Sequence, residues 1–355
     1  MKRMWALMLT IVMVFTLCAC GGKTAEAPIA TAETAGSAAK KAVDETAPDT
    51  IVAKYAVTFP NTGTQAEGAE KLAELIEKHS EGRIDVEVYY SSQLGGNTEA
   101  MEGLRQGTIE ITELALTAIS AYSDIWSTFS LPYLWDSGKE AVETIGSNSV
   151  MEVLEADVEA NGMMIIGWMN LGSRSILNTK RPIYTPDDMK GLTIRVIEDP
   201  ILVDSIIAMG GSPVAMPWSD CYSGLEQGTI DGLENSTPVI TGSAIQEVAK
   251  YFSLTEQFIM PDPVLISAAW FNSLSPENQE AVLAAGKEYT KVWNEEIWPA
   301  SEEAALQVII DAGVEVNEVD KTAFYDATES VRADFVKNGS KAQANLFEVL
   351  MAAKS

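Results

Sequence analysis

Short apolar runs alternate with longer amphipathic segments through most of the chain. The segment Ile84–Tyr89 alternates apolar and polar residues with a period of two, which predicts a half-buried strand. Residues 67–79 instead place apolar side chains three and four positions apart, which predicts a helix with one buried face. The same criteria predict further strands and helices, namely strands at 55–59, 164–168 and 193–196, and helices at 98–106, 142–161, 201–209 and 219–227. Strands separated by helical connections indicate an α/β fold with largely parallel sheets.

A long helical pattern extends from Pro276 to about Ala312, and Pro299 lies near its middle. Proline lacks the N–H that an internal helical position donates, so it kinks or breaks a helix. One bent helix of this length could cross two lobes near their hinge. Two separate helices fit the pattern equally well.

The N-terminus has the pattern of a secretory signal. Met-Lys-Arg precedes an apolar run over residues 5–19 that is too short to span a bilayer comfortably. The end of this run with the residue after it, Leu17-Cys18-Ala19-Cys20, resembles the lipobox of bacterial lipoproteins, which implies cleavage before Cys20 and lipidation of Cys20. The alternative is a secreted protein cleaved near Ala19. Residues 1–19 are therefore predicted to be a signal peptide, and 20–50, which are rich in Ala, Thr, Glu and Pro, to be a lipidated cysteine and a disordered tether.

Length and charge exclude several classes of protein. A chain of 355 residues is long for a single core, so two lobes are expected. The formal net charge of −27 argues against a nucleic-acid-binding protein. Three cysteines and one histidine leave little for a metal site, and no phosphate-binding glycine loop or nucleophile–base pair is apparent. The lone Cys221 is more typical of a small buried residue than of a nucleophile. The sequence predicts no metal, no cofactor and no enzymatic activity.

Two arginines stand in predicted strand contexts where positive charge is otherwise scarce. Arg174 follows the strand at 164–168, and Arg195 lies inside Thr193–Val196 between two β-branched residues. An arginine within a strand must reach solvent or pair with an anion. A guanidinium presents a planar fork that matches a carboxylate. From the residues alone, Arg195 is either a ligand-binding residue or a member of a structural ion pair.

A series of short motifs resembles the extracytoplasmic solute-binding proteins of TRAP transporters over most of residues 55–300. Each motif is weak alone, but their order and spacing are specific. In chain order they are Ser91-Ser-Gln-Leu-Gly-Gly96, Leu104-Arg-Gln-Gly107, Leu131-Pro-Tyr-Leu-Trp135, Lys180-Arg-Pro182, Thr185-Pro-Asp-Asp-Met-Lys-Gly-Leu192, Ile194-Arg-Val196, Met216-Pro-Trp218, Glu226-Gln-Gly228, Ile230-Asp-Gly232 and Glu234-Asn235.

The resemblance implies the binding residues. Arg195 matches the arginine that clamps the ligand carboxylate, and Arg174 matches a second basic contact in the same cleft. Asn235 matches an amide that hydrogen-bonds the carboxylate region, and Trp218 matches an aromatic residue that packs against the ligand. In this chain Ser236 follows Asn235 where many relatives have proline, which leaves the carboxylate clamp intact.

Two further ligand contacts are expected, Asn61 in the loop after the first strand, from the other lobe, and Glu99 in the helix predicted at 98–106. The resemblance implies a periplasmic-binding-protein-like α/β fold of two lobes, with a hinge and a long bent helix that crosses both. We expect the first lobe to comprise residues 51–170 and 261–300, and the second 171–260 and 301–355.

The function implied by the resemblance is that of a TRAP receptor that binds an organic acid between its lobes and delivers it to the membrane permease subunits. The motifs look closest to members that bind sugar acids such as uronates. A C4-dicarboxylate receptor is the alternative, and a lipid-anchored enzyme or sensor subunit for acidic sugars is a more distant one. We expect an extracytoplasmic protein that is attached to the cell membrane only through its N-terminal lipid.

Overall fold

A computed structural model describes residues 50–354. The predicted signal peptide, Cys20 and nearly all of the predicted tether lie outside the described residues. Of the four predicted strands, those at 84–89 and 193–196 have the predicted bounds, that at 164–168 lies within β4, and that at 55–59 is observed earlier in the chain, as β1. The strands of the described residues are β1 (Ile51–Ala56), β2 (Ile84–Tyr89), β3 (Ile111–Glu113), β4 (Met163–Met169), β5 (Ser173–Asn178), β6 (Thr193–Val196), β7 (Ser212–Ala215), β8 (Gly232–Asn235), β9 (Tyr251–Ile259), β10 (Asp262–Ser267) and β11 (Glu315–Asn317).

These strands form two sheets. The first has the order β2-β1-β3-β10-β4, and the second has the order β11-β9-β5-β8-β6-β7. Both are mixed, because β10 is antiparallel to β3 and β4, and β5 is antiparallel to β8 and β9. The expectation of largely parallel sheets was therefore wrong for these strands.

The antiparallel pairs follow from two places where the chain passes directly from one sheet to the other. Residues 170–172 connect β4 to β5, and residues 260–261 connect β9 to β10. Parallel neighbouring strands need a crossover connection, usually a helix, that carries the chain back to the same end of the sheet. A strand that enters directly from the other sheet has no such crossover before it, so it can run antiparallel to its neighbours. The two connections bring both sheets together at one boundary.

The helices surround the sheets, with bounds α1 (Thr64–His79), α2 (Asn97–Gln106), α3 (Leu116–Ile119), α4 (Gly138–Ile145), α5 (Asn148–Ala160), α6 (Pro200–Ala208), α7 (Cys221–Gln227), α8 (Thr237–Gly242), α9 (Ala268–Ser273), α10 (Pro276–Val292), α11 (Trp298–Asp311), α12 (Lys321–Ala327), α13 (Glu329–Asn338) and α14 (Lys341–Lys354). Short 3₁₀ segments lie at 124–130, 186–189, 218–220 and 245–248. The predicted division into lobes stays a prediction. The last helix, α14, was assigned to the second lobe, but it packs against α4, α5 and residues 124–130.

The long helical segment crosses from one sheet to the other without a break. A wide π-helical turn at Trp293–Ile297 joins α10 to α11, and the N–H of Trp298 bonds to the carbonyl of Trp293. This wide turn places Pro299 in the first turn of α11, where the missing N–H is tolerated. The segment α10 packs on α1 and β4, whereas α11 packs on α8. The prediction of a long bent helix that spans both parts of the fold is confirmed.

Candidate functional site

Arg195 is a buried cation with two unpartnered nitrogens. It lies on β6 with only 3% of its surface exposed, and its Nε donates to the carbonyl of Met216 at 2.8 Å. Within residues 50–354 no carboxylate pairs with it, and its two terminal nitrogens have no hydrogen-bond partner. Neither nitrogen is wholly enclosed, so both can be reached from outside the side-chain packing. Burial lowers the pKa of the guanidinium, because a buried cation without an anion is disfavoured.

The indole of Trp218 covers the guanidinium of Arg195. The centre of the guanidinium lies 5.4 Å from the ring centroid, which is within the range of a cation–π contact. The ring is held in place because its Nε1 donates to Ser243 Oγ at 3.1 Å. Trp218 also packs against the apolar cores of both sheets, so it lies at the boundary between them.

Arg174 differs from Arg195 because it already has an anionic partner. On β5, its Nε donates to Glu234 Oε2 at 2.5 Å, and its Nη2 donates to Glu234 Oε1 at 2.9 Å. Both side chains are buried. Burial acts to lower the pKa of Arg174, but the adjacent Glu234 carboxylate outweighs that effect and raises it. Only Nη1 of Arg174 has no partner among the described residues, so the charge of this arginine is compensated before any ligand arrives.

The order of the strands in the second sheet places Asn235 between Arg174 and Arg195. The neighbours β5, β8 and β6 carry Arg174, Asn235 and Arg195 respectively, with Ser175 opposite Asn235. The Oδ1 atom of Asn235 accepts from the backbone N–H of Ser236 at 2.9 Å, which fixes the orientation of the amide. Its Nδ2 has no partner among residues 50–354 and remains able to donate.

The two other predicted ligand contacts are Asn61 and Glu99, and only the loop of Asn61 lies towards the arginines. Asn61 is an exposed residue in the loop after β1. Two residues later, Gly63 approaches α8 so closely that a Cβ atom there would lie 2.8 Å from Gly242 Cα. Since α8 begins two residues after Asn235, this contact brings the loop of Asn61 towards the site.

Glu99 is an exposed residue at the start of α2. Its Oε2 accepts from the N–H of Gly96 at 2.9 Å, so it caps that helix. It also lines a surface pocket of about 550 Å³ with Lys54 and Tyr89, and this pocket contains none of the residues around Arg195. The structure therefore does not bring Glu99 together with the arginines.

Sequence reasoning missed two acids whose pKa values the fold raises, the partly buried Asp262 and the buried Glu113. Asp262 begins β10, directly after the second connection, and Glu113 ends β3. Burial raises the pKa of Asp262 to about 7, against the opposing effects of the Leu116 N–H and the charge of Arg174. Burial also raises the pKa of Glu113 to about 8. Acidic residues are abundant in this chain, and nothing in the sequence around Asp262 and Glu113 distinguishes them from acids that are exposed to solvent.

The remaining chemistry of the described residues is limited. Cys221 is fully buried, as predicted, and burial raises the pKa of its thiol to about 11. Within residues 50–354, no group of three His, Cys, Asp or Glu side chains is arranged to hold a metal ion. No helix in the same part of the chain has both the length and the apolar character needed to cross a membrane. The two unpartnered nitrogens of Arg195 suit this site to holding a small anion by hydrogen bonds and charge.

Comparisons with known proteins place the chain among bacterial solute-binding proteins. Residues 55–338 match the family described as bacterial extracellular solute-binding protein, family 7 (DctP). The 2,3-diketo-L-gulonate-binding periplasmic protein YiaO of Escherichia coli is 30% identical over 287 residues, which is 80% of this chain and 87% of YiaO.

Two solved structures have a closely similar fold. A TRAP periplasmic solute-binding protein of Chromohalobacter salexigens with bound D-glucuronate superposes with a TM-score of 0.80 at 28% identity, over 84% of this chain and 99% of that one. A Sulfitobacter protein of the same kind, with bound β-D-galacturonate, also gives 0.80 at 29% identity, over 85% and 99% of the two chains.

Proposed function

The chain belongs to bacterial extracellular solute-binding protein family 7, and from this premise we propose that its ligand is a sugar acid with one carboxylate, a uronate or a close relative. As a member of this family it is an extracytoplasmic solute receptor, not a member of an enzyme family. The observation that carries the choice of an acid is Arg195, a buried guanidinium that forms no ion pair within residues 50–354 and has two terminal nitrogens without a hydrogen-bond partner there.

The carboxylate of the ligand takes the place of the missing anion. The two terminal nitrogens of Arg195 donate to its two oxygens in a planar fork, and Nδ2 of Asn235 adds a further hydrogen bond. The indole of Trp218, fixed by Ser243, packs against the body of the sugar. Nη1 of Arg174 supplies a further hydrogen bond to the ligand. It adds no net charge, because Glu234 already balances the charge of Arg174. Asn61 supplies a polar contact from the loop after β1.

Ligand binding is coupled to closure because the contacts come from both sheets. The arginines and Asn235 belong to the second sheet, whereas Asn61 follows the first strand of the first sheet. A ligand that bridges these elements stabilises the closed arrangement by the contacts that the open one lacks. The bent helix formed by α10 and α11 packs on both parts and is placed to accommodate a hinge motion.

The sugar-acid assignment is supported by the relatives. Two structures of similar fold hold glucuronate and galacturonate, and YiaO is named for a diketo sugar acid. The TRAP permease subunits are the partners to which the loaded receptor delivers its ligand. Lipidation at Cys20 would hold the receptor at the membrane through a tether, while the folded part contacts no lipid.

The experiment is thermal unfolding of the purified protein, unfolded and refolded under dialysis to remove any bound acid, with D-glucuronate, D-galacturonate, D-gluconate and succinate. At one hundred times its dissociation constant, a ligand adds about 2.7 kcal/mol to the free energy of unfolding. We expect a rise of several degrees in the unfolding temperature with a sugar acid, and recovery of that acid unchanged by chromatography. A rise only with succinate would favour a C4-dicarboxylate receptor, and consumption of the acid would indicate an enzyme.

A further inference from the structure

The side-chain amide of Asn235 is held in one orientation by the residue that follows it. The backbone N–H of Ser236 donates to it at 2.9 Å, and a backbone N–H only donates, so the amide atom that it meets is the oxygen and not the nitrogen. Asn235 is only 4% exposed, and its Nδ2 has no hydrogen-bond partner within residues 50–354 but is not wholly enclosed. A buried N–H group without a partner costs free energy, so this nitrogen points to a ligand atom that accepts a hydrogen bond.

The strand register places Asn235 beside Arg195. The strands β6 and β8 are parallel neighbours in which Arg195 is paired with Leu233, and Asn235 lies two residues beyond Leu233. Residues two apart in a strand lie on the same face, so the side chains of Arg195 and Asn235 extend from one face of the sheet. Neighbouring strands lie about 5 Å apart, which allows one carboxylate to contact both side chains.

Both of these side chains offer only donors to a ligand. The two unpartnered nitrogens of Arg195 carry N–H groups, and a guanidinium accepts no hydrogen bond. An asparagine amide can in general present either its nitrogen or its oxygen, because a half-turn about the Cβ–Cγ bond exchanges the two. The N–H of Ser236 removes that choice, since a half-turn would bring the NH₂ group of Asn235 against another donor. A ligand group that itself donates is thereby disfavoured.

Only the backbone of Ser236 takes part in this arrangement. Its side-chain oxygen is enclosed and has no hydrogen-bond partner among the described residues, so the hydroxyl does not reach the ligand. Its backbone angles, φ −83° and ψ 157°, are close to those of proline, and Asn235 before it has the extended conformation that a residue before proline prefers. Proline is the one residue type without an N–H, so it removes the hydrogen bond to Asn235 with little strain in the chain.

We propose that Ser236 is a positioning residue of the binding site, whose backbone N–H fixes Asn235 as a donor and so selects an ionised carboxylate over a carboxamide. This inference rests on the proposed function, since it assumes that Arg195 and Asn235 hold the carboxylate of a sugar acid. It goes beyond that function because it assigns part of the selectivity to the orientation of one amide, which is set by a residue outside the carboxylate clamp.

The test compares two nearly isosteric ligands. In D-glucuronamide an NH₂ group replaces one carboxylate oxygen of D-glucuronate, so one acceptor becomes a donor. Calorimetric titration gives the dissociation constant of glucuronate, and displacement of bound glucuronate gives that of glucuronamide. In Ser236→Pro the amide of Asn235 is free to turn its oxygen to the ligand. We expect glucuronate to bind roughly three- to tenfold more weakly, the effect of weakening one hydrogen bond, and glucuronamide to bind at least as tightly as before.

Two further variants separate the orientation of the amide from damage to the structure. Ser236→Ala has the N–H that proline lacks and loses only the enclosed hydroxyl, so we expect it to recover the preference for glucuronate. In Asn235→Ala the oriented group is gone, so adding Ser236→Pro should have no further effect on the binding of glucuronate. A proline that merely distorted the start of α8 would weaken binding in both backgrounds and would overturn the proposal.

The outcomes distinguish this inference from the proposed function. If glucuronate binds the natural protein but Ser236→Pro weakens both ligands equally or neither, the role of Ser236 is wrong and the receptor function stands. If Ser236→Pro does not fold, an ester in place of the amide between Asn235 and Ser236 removes the same N–H without constraining the chain, and an unchanged preference there overturns the proposal. If the natural protein binds neither ligand, the proposed ligand class fails, and this inference fails with it.

Discussion

At the residue scale, the two buried arginines show that burial alone does not define a ligand-binding cation. Arg174 and Arg195 are both almost fully buried, and they lie on strands of one sheet separated only by β8. Arg174 is held in a bidentate pair by Glu234, whereas within residues 50–354 Arg195 makes one hydrogen bond, to a carbonyl, and one cation–π contact, with an indole. A buried charge without an anion costs free energy, so its presence points to a function that requires it. The unpaired arginine is therefore the more informative of the two.

Substitution of Arg195 tests this distinction. Arg195→Ala is expected to weaken sugar-acid binding by about 2–5 kcal/mol, as for truncation of one partner of a buried charge pair. Arg195→Lys should recover only part of that loss, because an ammonium does not form the planar fork. Calorimetric titration measures both, with Arg105→Ala as the control, since Arg105 is a partly exposed residue beside Tyr122. Affinity within twofold of the natural protein for Arg195→Ala would contradict the site.

At the element scale, the helix formed by α10 and α11 depends on one close approach to the first sheet. Gly286 lies on the face of α10 that packs against β4, and a Cβ atom there would lie 2.2 Å from the carbonyl oxygen of Ile166. That oxygen is backbone, so it cannot move aside as a flexible side chain could. The absence of a side chain at Gly286 thus allows the helix to lie directly on the strand.

The packing of α10 on β4 predicts an unusual result for a glycine substitution. In an exposed helix, Gly→Ala stabilises a protein by roughly 0.5–1 kcal/mol. Here we expect Gly286→Ala to destabilise it by roughly 1–3 kcal/mol, because the added methyl group overpacks the contact with Ile166. Urea unfolding measures the change, with Glu280→Ala on the exposed side of the same helix as the control. A stabilised Gly286→Ala variant would show that α10 and β4 are farther apart than described.

At the scale of the whole molecule, the acidic residues act in two different ways. Most lie at the surface, where salt screens their charges over about 8 Å. A few, including Asp262 and Glu113, lie within the fold near the boundary between the sheets, where burial raises the pKa to about 7 and about 8 respectively. Both acids therefore make the stability of the whole fold depend on pH in the physiological range.

The sign of that dependence follows from proton binding. In the unfolded chain these two acids lose their protons near pH 4, whereas the folded chain retains them up to about pH 7 and 8. Between about pH 5 and 8 the folded state binds more protons, so stability falls as pH rises. We expect the ligand-free protein to unfold at a higher temperature at pH 5.5 than at pH 8.5, at constant ionic strength.

The double variant Asp262→Asn, Glu113→Gln separates this effect from the general repulsion of an acidic protein. Removing both acids should flatten the dependence between pH 5.5 and 8.5, whereas Asp187→Asn at the surface should not. An equally steep dependence in the double variant would assign the effect to surface charge instead.

Much of the architecture could be predicted from the chain because it depends on local spacing. The strand Ile84–Tyr89 and the strand Thr193–Val196 lie within the residues that the pattern indicated, and Gly107 ends its helix with a positive φ of 71°. Apolar periodicity and helix-ending glycines act over a few residues, so the sequence carries them directly. The order of short motifs likewise identified the family before any contact was known.

The directions of the strands and the balance of charges were decided only by the tertiary structure. Strand direction in these sheets depends on the two connections at 170–172 and 260–261, which no periodicity describes. The pairing of Arg174 with Glu234 joins residues sixty positions apart, and the isolation of Arg195 is visible only when its neighbours are in place. Asp262 and Glu113 resemble every other acid in an acidic chain until folding removes water from around them, because a pKa shift depends on three-dimensional surroundings and not on the identity of a residue.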